Sequence, residues 1–284
     1  MAGKLYLCAT PIGNLGDVTG RVLEALKEAD LIACEDTRNS IRLLNHFDIH
    51  TPMTSYHEFN KYDKADVLIK EMQDGKNVAL ISDAGTPSIS DPGEVLVQKC
   101  IEAGIEVTSL PGASAVITAL TLSGLSARRF CFEGFLPRDK KERLEVLTEL
   151  KSEYRTTVLY EAPHHLKGTL NDLYESLGER EIALCRELTK KHEEVLRMGL
   201  KEAIDHYDKT EPKGEFVLVL SGADKKAALL EERAKVLEIS IKEHFEKHLA
   251  AGLDKKAAMK KVAEERGIPK REVYNSLLEV KEDE

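Results

Sequence analysis

The sequence predicts an α/β protein made of two α/β domains and a small helical domain, on the basis of three observations. Short apolar stretches alternate with amphipathic ones over residues 1–123, which favours a mostly parallel sheet. A second series of strand-like stretches over residues 124–224 predicts a second α/β domain with a mixed sheet. Residues 225–284 contain no strand pattern and little glycine, so they are predicted to form a helical, helix–turn–helix-like domain.

Capping residues and apolar spacing define the elements of the first predicted domain. Thr19 and Thr37 each precede a helical stretch and are predicted to cap it. Val67, Leu68 and Met72 are expected to share the buried face of the third helix. The predicted strands are 5–9, 31–34, 53–56, 78–81 and 107–110, and the predicted helices are 20–28, 41–47, 63–73, 94–103 and 116–123.

The second domain and the tail follow by the same reasoning. The predicted strands are 130–132, 157–160, 182–185, 194–198 and 216–220, and the predicted helices are 140–151 and 165–176. In the tail, residues 229–249 have helical spacing, and 253–265 and 270–280 form a helix–turn–helix-like pair. Eight basic and three acidic residues between 247 and 271 favour nucleic-acid binding, and a solvated bundle used for dimer contacts is the alternative.

The composition indicates a soluble globular protein of the reducing cytoplasm. A net charge of −9 argues against binding nucleic acid through the whole surface, and no apolar run is long enough for a membrane helix. The five cysteines show no CxxC spacing and no Cys/His cluster, so neither a disulfide framework nor a metal site is predicted. Cys8, Cys34, Cys131 and Cys185 lie in apolar runs and are expected to be small core residues.

Four of the predicted parallel strands end in loops rich in small or polar residues. These loops are 10–17, 35–38, 82–93 and 111–115. Because the carboxyl ends of parallel strands meet at one edge of a sheet, all four loops are expected to lie together there. The sequence therefore predicts a ligand cleft at this edge.

The loop 82–93 reads Ser-Asp-Ala-Gly-Thr-Pro-Ser-Ile-Ser-Asp-Pro-Gly and is long for a strand-to-helix connection. A plain crossover loop is the competing interpretation. No lysine follows its glycines, and it lacks the GxGxxG pattern, so it matches neither common phosphate-binding loop. The carboxylates of Asp83 and Asp91 suit a ligand with hydroxyls, amines and a positive centre.

Charged residues elsewhere allow two interpretations each. Glu35 and Asp36 fit either helix N-terminal charges, favoured by the helix dipole, or a polar cluster in the cleft. The segment 133–143 is locally basic and has Phe132 and Phe135 close by. It fits either a solvated helix start or an exposed segment that grips phosphates and stacks bases.

These motifs together resemble a known family. The loop 82–93 resembles the signature of the ribosomal RNA small subunit methyltransferase I family, within the tetrapyrrole (corrin/porphyrin) methylase superfamily. Further stretches agree with that family, at 130–137, 160–164, 186–190 and 213–215. The resemblance covers about residues 4–222 in order, and the helical tail resembles the accessory domain of the same enzymes.

The resemblance implies a methyltransferase of two α/β domains, usually a homodimer, with S-adenosylmethionine bound in the cleft between them. It implies methylation of the ribose 2′-oxygen of one cytidine in the decoding region of 16S ribosomal RNA. The small ribosomal subunit or its RNA is therefore the expected partner. The residues that match the family's cofactor positions are Pro11, Asp83, Gly85, Thr86, Pro87, Ser114, Ala115 and Ala162.

The chemistry of such a reaction sets what the residues have to do. A sulfonium methyl group is already electrophilic, so the protein mainly has to align the 2′-oxygen. A base or a hydrogen-bond acceptor helps to remove its proton, and alignment alone is the alternative. The candidate bases beside strand ends are Glu35, Asp36, Glu161 and Glu187. Ion pairs between Asp36 and Arg38 and between Arg186 and Glu187 are the alternative. The residues expected to hold RNA phosphates are Arg128, Arg129, Arg138, Lys140 and Lys141.

Two other functions compete with this one. A methylase of a small tetrapyrrole or of a modified protein residue would use the same fold, because fold does not decide substrate. A non-catalytic nucleic-acid adaptor would use only the helical tail. The basic segment 133–143 and the excess of basic residues between 247 and 271 favour RNA over a small substrate. The complete set of loops argues against an adaptor.

Overall fold

The structure is a computed structural model that describes residues 2–224 and 239–279. The chain divides into two compact units, one ending at Gly222 and one beginning at Ala223. The first unit contains two five-stranded sheets. The part of the second unit that the structure describes is helical. The predicted α/β class, with two α/β parts and a helical part, is confirmed.

The first sheet is entirely parallel, with strand order β3-β2-β4-β1-β5. Its strands are β1 (Lys4–Cys8), β2 (Leu31–Cys34), β3 (Met53–Ser55), β4 (Val78–Ile81) and β5 (Glu106–Leu110). The connecting helices are α1 (Gly20–Glu28), α2 (Thr37–His46), α3 (Lys61–Gln73), α4 (Gly93–Glu102) and α5 (Ala115–Ser123). From the neighbouring β1 and β4, the chain leaves in opposite directions across the sheet. Such a switch point opens a crevice at the carboxyl edge.

The two faces of this sheet carry separate apolar cores. Along β4 the side chains alternate, so that Val78 and Leu80 face one core while Ala79 and Ile81 face the other. Helices α3 and α4 contribute to the first core, and α1 and α2 contribute to the second. Burial on both faces explains why β4 reads as a continuous apolar run in the sequence.

Two local predictions in this part are wrong, and one is confirmed. Thr19 does cap α1, with its side chain accepting a hydrogen bond from Val22 N. The cap of α2 is Asp36 and not Thr37, because its carboxylate reaches Arg38 N and Thr37 is already helical. On α3, Val67 is 50% exposed, and the small residue Ala65 lies on the buried face instead.

The second sheet is mixed, with strand order β6-β7-β10-β8-β9. Its strands are β6 (Phe130–Phe135), β7 (Thr156–Glu161), β8 (Glu181–Arg186), β9 (Glu194–Gly199) and β10 (Phe216–Leu220). Strands β6 and β7 are parallel, and the other pairs are antiparallel. The helices are α6 (Lys140–Ser152), α7 (Pro163–Leu177) and α8 (Leu200–Lys209), and α8 was not among the predicted helices.

Helix α5 joins the two sheets. It follows the last strand of the first sheet, but its side chains Val116, Ala119 and Leu120 pack with Val158 and Val219 of the second sheet. The buried residues of the helix lie on one face at helical spacing, whereas Ile117 on another face is 50% exposed. The packing fixes the two sheets relative to each other and so fixes the crevice that they border.

The cysteines lie in or beside these cores. Cys8, Cys34 and Cys185 are fully buried, as predicted, whereas Cys131 is only half-buried on the edge strand β6. Every cysteine is a free thiol.

The described part of the tail consists of α9 (Ile241–Ala250), α10 (Lys255–Arg266) and α11 (Lys270–Glu279). Ser240 and Glu243 form a reciprocal capping box at the start of α9. Gly267 ends α10 with a left-handed backbone, φ 67°. The predicted pair of helices around 266–269 is confirmed, while the first part of the predicted stretch 229–249 lies outside the described residues. Within the described ranges, no helix combines the length and apolar composition that a membrane crossing requires.

Candidate active site

A cavity of about 580 Å³ lies within the first unit, at the carboxyl edge of the parallel sheet. On one side it is lined by the loops that follow β1, β2, β4 and β5. On the other side it is lined by residues of the second sheet, including Phe135, Tyr160, Glu161 and Phe216. The predicted convergence of the four loops at one edge is therefore confirmed. A volume of this size is typical of a site for a small organic ligand.

Two of these loops are joined through their backbones. Thr10 N donates to Gly85 O at 2.9 Å, and Gly85 N donates to Thr10 O at 3.0 Å. Gly85 has φ 82°, and a Cβ atom at this position would lie 3.3 Å from Ile12 Cγ2. Glycine is thus required both by the left-handed backbone and by the close approach of the loop after β1.

The far end of the loop 82–93 is organised by Asp91. Its Oδ1 accepts hydrogen bonds from Ser88 N at 3.0 Å and from Gly93 N at 2.7 Å. Ser88 and Ser90 have φ of 70° and 59°, a left-handed conformation that costs a non-glycine residue about 1–2 kcal/mol. Strain of this kind persists where surrounding contacts fix the loop, and it is common at ligand sites.

Three carboxylates give the mouth of the cavity a negative character. Glu35, Asp83 and Asp91 all line it. Burial raises the pKa of Glu35, the negative charges of Asp83 and Asp91 raise it further, and His57 opposes them. Burial also raises the pKa of Asp91, although hydrogen bonds from backbone amides counteract this. Such a cluster favours a ligand with a positive centre, as the loop composition predicts.

The four predicted bases occupy different environments. Within the residues that the structure describes, no hydrogen-bond donor reaches the Glu35 carboxylate. Glu161 also lines the cavity, but its Oε1 accepts from Ala162 N at 2.8 Å and its Oε2 accepts from the Thr169 hydroxyl. Thr169 in turn accepts from Arg143 Nη2 at 2.9 Å. Glu161 therefore holds the start of α7 in place.

Asp36 and Glu187 lie outside the cavity lining. Asp36 caps α2, and hydrogen bonds from Arg38 lower its pKa to about 2. Burial alone would raise the pKa of Glu187, but hydrogen bonds from Glu215 N and Lys190 outweigh it and lower the pKa. The pairing of Asp36 with Arg38 at 2.7 Å matches the alternative prediction.

The alternative pairing of Arg186 with Glu187 is wrong. Arg186 Nε lies 3.1 Å from Glu194 Oε2 on the neighbouring strand. Glu187, whose backbone is left-handed with φ 52°, instead pairs with Lys190 at 2.9 Å.

Most of the residues predicted to hold the cofactor do line the cavity. Pro11 and Pro87 do not; Pro11 is next to Ile12, which does. The lining residues that the sequence motifs predicted are Asp83, Gly85, Thr86, Ser114, Ala115 and Ala162. Sequence reasoning missed the apolar wall of Ile12, Tyr160 and Phe216 because these residues read as ordinary strand or loop positions. The available signal was the position of Tyr160 and Phe216 at the ends of strands and of Ile12 in the loop after β1, which was already predicted to border the cleft.

The predicted RNA-binding residues Arg128, Arg129, Arg138, Lys140 and Lys141 are all exposed. Arg129 lies over the Tyr154 ring at 5.0 Å, and none of the other four has an ion pair within the described ranges. Lys140 and Lys141 start α6, where the helix dipole disfavours positive charge. Phe135 is 57% exposed, packs against Tyr160 at 5.5 Å and lines the cavity, so it connects the basic segment with the cavity.

Comparison with known proteins agrees with this geometry. Residues 4–204 match the family model "Tetrapyrrole (Corrin/Porphyrin) Methylases". A uroporphyrin-III C-methyltransferase from Thermus thermophilus, solved in complex with S-adenyl homocysteine, shares the fold at 17% identity with a TM-score of 0.56. The alignment covers 77% of this chain and 97% of that one.

Curated relatives are much closer in sequence. "Ribosomal RNA small subunit methyltransferase I" from Synechocystis sp. is 48% identical over 282 residues, which is 99% of each chain. The protein of that name from Thermotoga maritima is 46% identical over 222 residues, which is 78% of this chain and 100% of its own. The chain therefore belongs to the tetrapyrrole methylase family and, within it, to the ribosomal RNA small subunit methyltransferase I family.

Proposed function

We propose that this protein transfers a methyl group from S-adenosylmethionine to the ribose 2′-oxygen of a cytidine in the decoding region of 16S ribosomal RNA. The observation that carries the proposal is the nearness in the chain of an acidic cavity and a basic segment. Phe135 lines the cavity and is 57% exposed, and it lies three residues before Arg138, which, like Lys140 and Lys141, has no ion pair among the described residues. Relatives that are 42–50% identical and named as ribosomal RNA small subunit methyltransferases support an RNA substrate.

The cavity fits S-adenosylmethionine on three properties. Its volume suits a nucleoside-sized ligand, its apolar wall suits an adenine ring, and its carboxylates suit a sulfonium and an amino group. The small residues Gly85, Ala115 and Ala162 let a ligand approach the backbone closely. When bound, this cofactor supplies an electrophilic methyl group.

The protein's own contribution is alignment and proton removal. We assign the base to Glu35, because it lines the cavity, its carboxylate is free of donors in the described structure, and its pKa is raised. A raised pKa makes a carboxylate a stronger base for the ribose hydroxyl proton. Asp83 and Asp91 keep the site negative, and Glu161 fixes the wall at Ala162.

Substrate RNA would be held outside the cavity by positive charge and by stacking. Arg138, Lys140 and Lys141 are exposed, have no ion pair among the described residues and can contact phosphates, and Arg128 and Arg129 extend the same basic segment. The exposed face of Phe135 offers a platform on which the base of the target nucleotide stacks. A homodimer in the cytoplasm, as in the family resemblance, is part of the proposal.

The test is methyl transfer to small ribosomal subunits from cells that lack this protein. S-adenosylmethionine with a labelled methyl group is added with the wild-type protein or Asp83→Ala, and the label is mapped on the RNA. Label on one ribose of a decoding-region cytidine, abolished by Asp83→Ala, supports the proposal. Label on a base contradicts the 2′-oxygen. No transfer to subunits or free RNA, despite tight cofactor binding, points to a tetrapyrrole or protein substrate.

A further inference from the structure

A group of three side chains in the helical unit lies outside the candidate active site. His244 and His248 are one turn apart on α9, and Glu265 faces them from α10. The Nε2 atoms of His244 and His248 each lie 2.8 Å from Glu265 Oε2, and the two nitrogens are 3.2 Å apart. We propose that these three atoms bind a divalent transition-metal ion, with zinc as the best match.

The donor set and its geometry suit zinc. Two imidazole nitrogens and one carboxylate oxygen form a common three-ligand set, with a water molecule in the fourth position. Tetrahedral bonds of about 2.0–2.1 Å place the donor atoms about 3.3 Å apart. The observed nitrogen–oxygen separations of 2.8 Å are about 0.5 Å shorter and the nitrogen–nitrogen separation of 3.2 Å is about 0.1 Å shorter, so the Glu265 carboxylate would have to move away from the two rings to admit the ion. The Glu265 side chain is 31% exposed and leaves a side open to water.

The position of the cluster lets the ion link two helices. The His244 side chain is 4% exposed, so the ion would be partly enclosed between α9 and α10. Among the tail residues that the structure describes, the buried apolar side chains are those of Ala258, Val262 and Val273. A helical unit with so small a core gains stability from a cross-link between its helices. The ion would supply one.

Two positively charged side chains next to the cluster would repel a bound cation. Arg266 Nε donates to His244 Nδ1 at 3.3 Å, and Lys261 Nζ lies 3.5 Å from Glu265 Oε1. Metal on His244 Nε2 requires the ring proton on Nδ1, so the hydrogen bond from Arg266 has to break. Arg266 can keep its other hydrogen bond, from Nη2 to the Ile239 carbonyl. Metal binding therefore competes with Arg266.

The test uses the full-length protein after treatment with a chelator. Co²⁺ is titrated and followed by its visible absorption, and Zn²⁺ is then added to displace it. We expect a band typical of tetrahedral Co²⁺ that saturates at a single equivalent and disappears with Zn²⁺. A band that does not saturate at one equivalent, or no band, overturns the proposal.

Variants locate the site. Loss of an outer-shell partner weakens metal binding by about 10- to 100-fold. His248→Gln and Glu265→Gln each remove a direct ligand, so each should weaken Co²⁺ binding by more than this. Arg266→Gln should tighten it by about tenfold, because glutamine oxygen can accept the Nδ1 proton. His192→Gln, at an exposed position of the first unit, is the matched control and should leave binding unchanged. Binding that survives in both His248→Gln and Glu265→Gln would mean that the ion lies elsewhere and that the three side chains form only a hydrogen-bonded contact.

Discussion

At the scale of single residues, the raised pKa of Glu35 predicts opposite effects of this side chain on stability and on activity. A carboxyl group whose folded pKa is raised holds its proton more tightly in the folded state than in the unfolded state. Its ionised form therefore destabilises the fold, and stability falls as the pH rises from the ordinary value of 4.5 through the folded pKa. A site carboxylate of this kind reduces stability in return for function.

Glu35→Gln should raise the melting temperature at about pH 7.5 and leave it nearly unchanged at about pH 4, where Glu35 is protonated in both states. The same variant should lower kcat by about 10²- to 10⁴-fold if Glu35 is the base, with S-adenosylmethionine affinity nearly unchanged. In the wild type, turnover should decline as the pH falls through the raised pKa of Glu35. Calorimetry and single-turnover methyl transfer measure the two effects.

Asp36→Asn is the control for Glu35→Gln, because Asp36 is the adjacent carboxylate and caps α2 outside the cavity. It should change stability without a comparable loss of kcat. Equal losses of kcat in the two variants would contradict the proposal that Glu35 is the base.

Gly85→Ala tests the contact between the two cavity loops. The left-handed backbone costs alanine about 1–2 kcal/mol, and the new Cβ also presses on Ile12. Gly104→Ala is the matched control, since φ there is 69° but no atom lies within 4 Å of the added Cβ. We expect both variants to lose stability in urea denaturation, and only Gly85→Ala to lose cofactor affinity in calorimetric titration. Unchanged affinity in Gly85→Ala would mean that the loop contact does not shape the ligand site.

Phe135→Ala should raise the KM for RNA, because base–aromatic stacking contributes about 1–3 kcal/mol per base. Phe135→Tyr should largely restore it, since the ring is kept. Phe59→Ala removes a ring that is 98% exposed and outside the cavity lining, and it should have no effect. Steady-state kinetics with small subunits measure all three. Similar effects of Phe135→Ala and Phe59→Ala would exclude stacking at Phe135.

At the scale of elements, the start of α6 carries positive charge where the helix dipole disfavours it. The dipole favours negative charge at a helix N-terminus, and Asp139 supplies it as the cap. Lys140 and Lys141 follow directly and have no ion pair in the described structure. The two lysines destabilise the helix only slightly. Their position at the helix start suits a phosphate-binding surface.

Replacing Arg138, Lys140 and Lys141 together by alanine should weaken RNA binding and flatten its salt dependence. Each lost phosphate contact should reduce the slope of log affinity against log salt by about one. Lys27→Ala, at an exposed position on α1, is the control. Filter binding over a series of salt concentrations measures the slopes. An unchanged slope in the triple variant would place the RNA on another surface.

At the scale of the whole molecule, the chain divides into an α/β unit and a helical unit. The Thermotoga maritima relative matches this chain along its entire length while covering 78% of it. The cavity and both sheets lie within the first unit. The fold and cofactor binding are therefore expected to belong to the first unit alone.

A protein shortened after residue 222 should fold and bind S-adenosylmethionine with the affinity of the full chain. Its affinity for RNA should be lower, because the eight basic residues between 247 and 271 are lost. Circular dichroism and calorimetric titration measure fold and cofactor binding, and filter binding measures RNA affinity. Equal RNA affinity of the short and full chains would leave the tail with a role other than RNA contact.

The sequence by itself determined the class of fold, most of the strands and helices, and the convergence of four loops at one sheet edge. These follow from local apolar period and from the rule that parallel strands end together. The loop 82–93 was identified in the same way, since its length and composition are local properties. Helix α8 was missed although its buried residues Leu200, Ala203, Ile204 and Tyr207 follow helical spacing, so its signal was present in the sequence. The exposure of Val67 was missed because only packing decides which part of an apolar stripe a neighbouring element covers.

Only the tertiary structure decided which polar residues share a site. Among the four carboxylates at strand ends, it placed Glu35 in the cavity with no donor among the described residues, and it engaged Glu161, Asp36 and Glu187 in hydrogen bonds. It also brought Glu265 to two histidines about twenty residues away, where the sequence predicted no metal site. The reason is physical: a charge or a ligand set depends on distances between elements, and packing determines those distances.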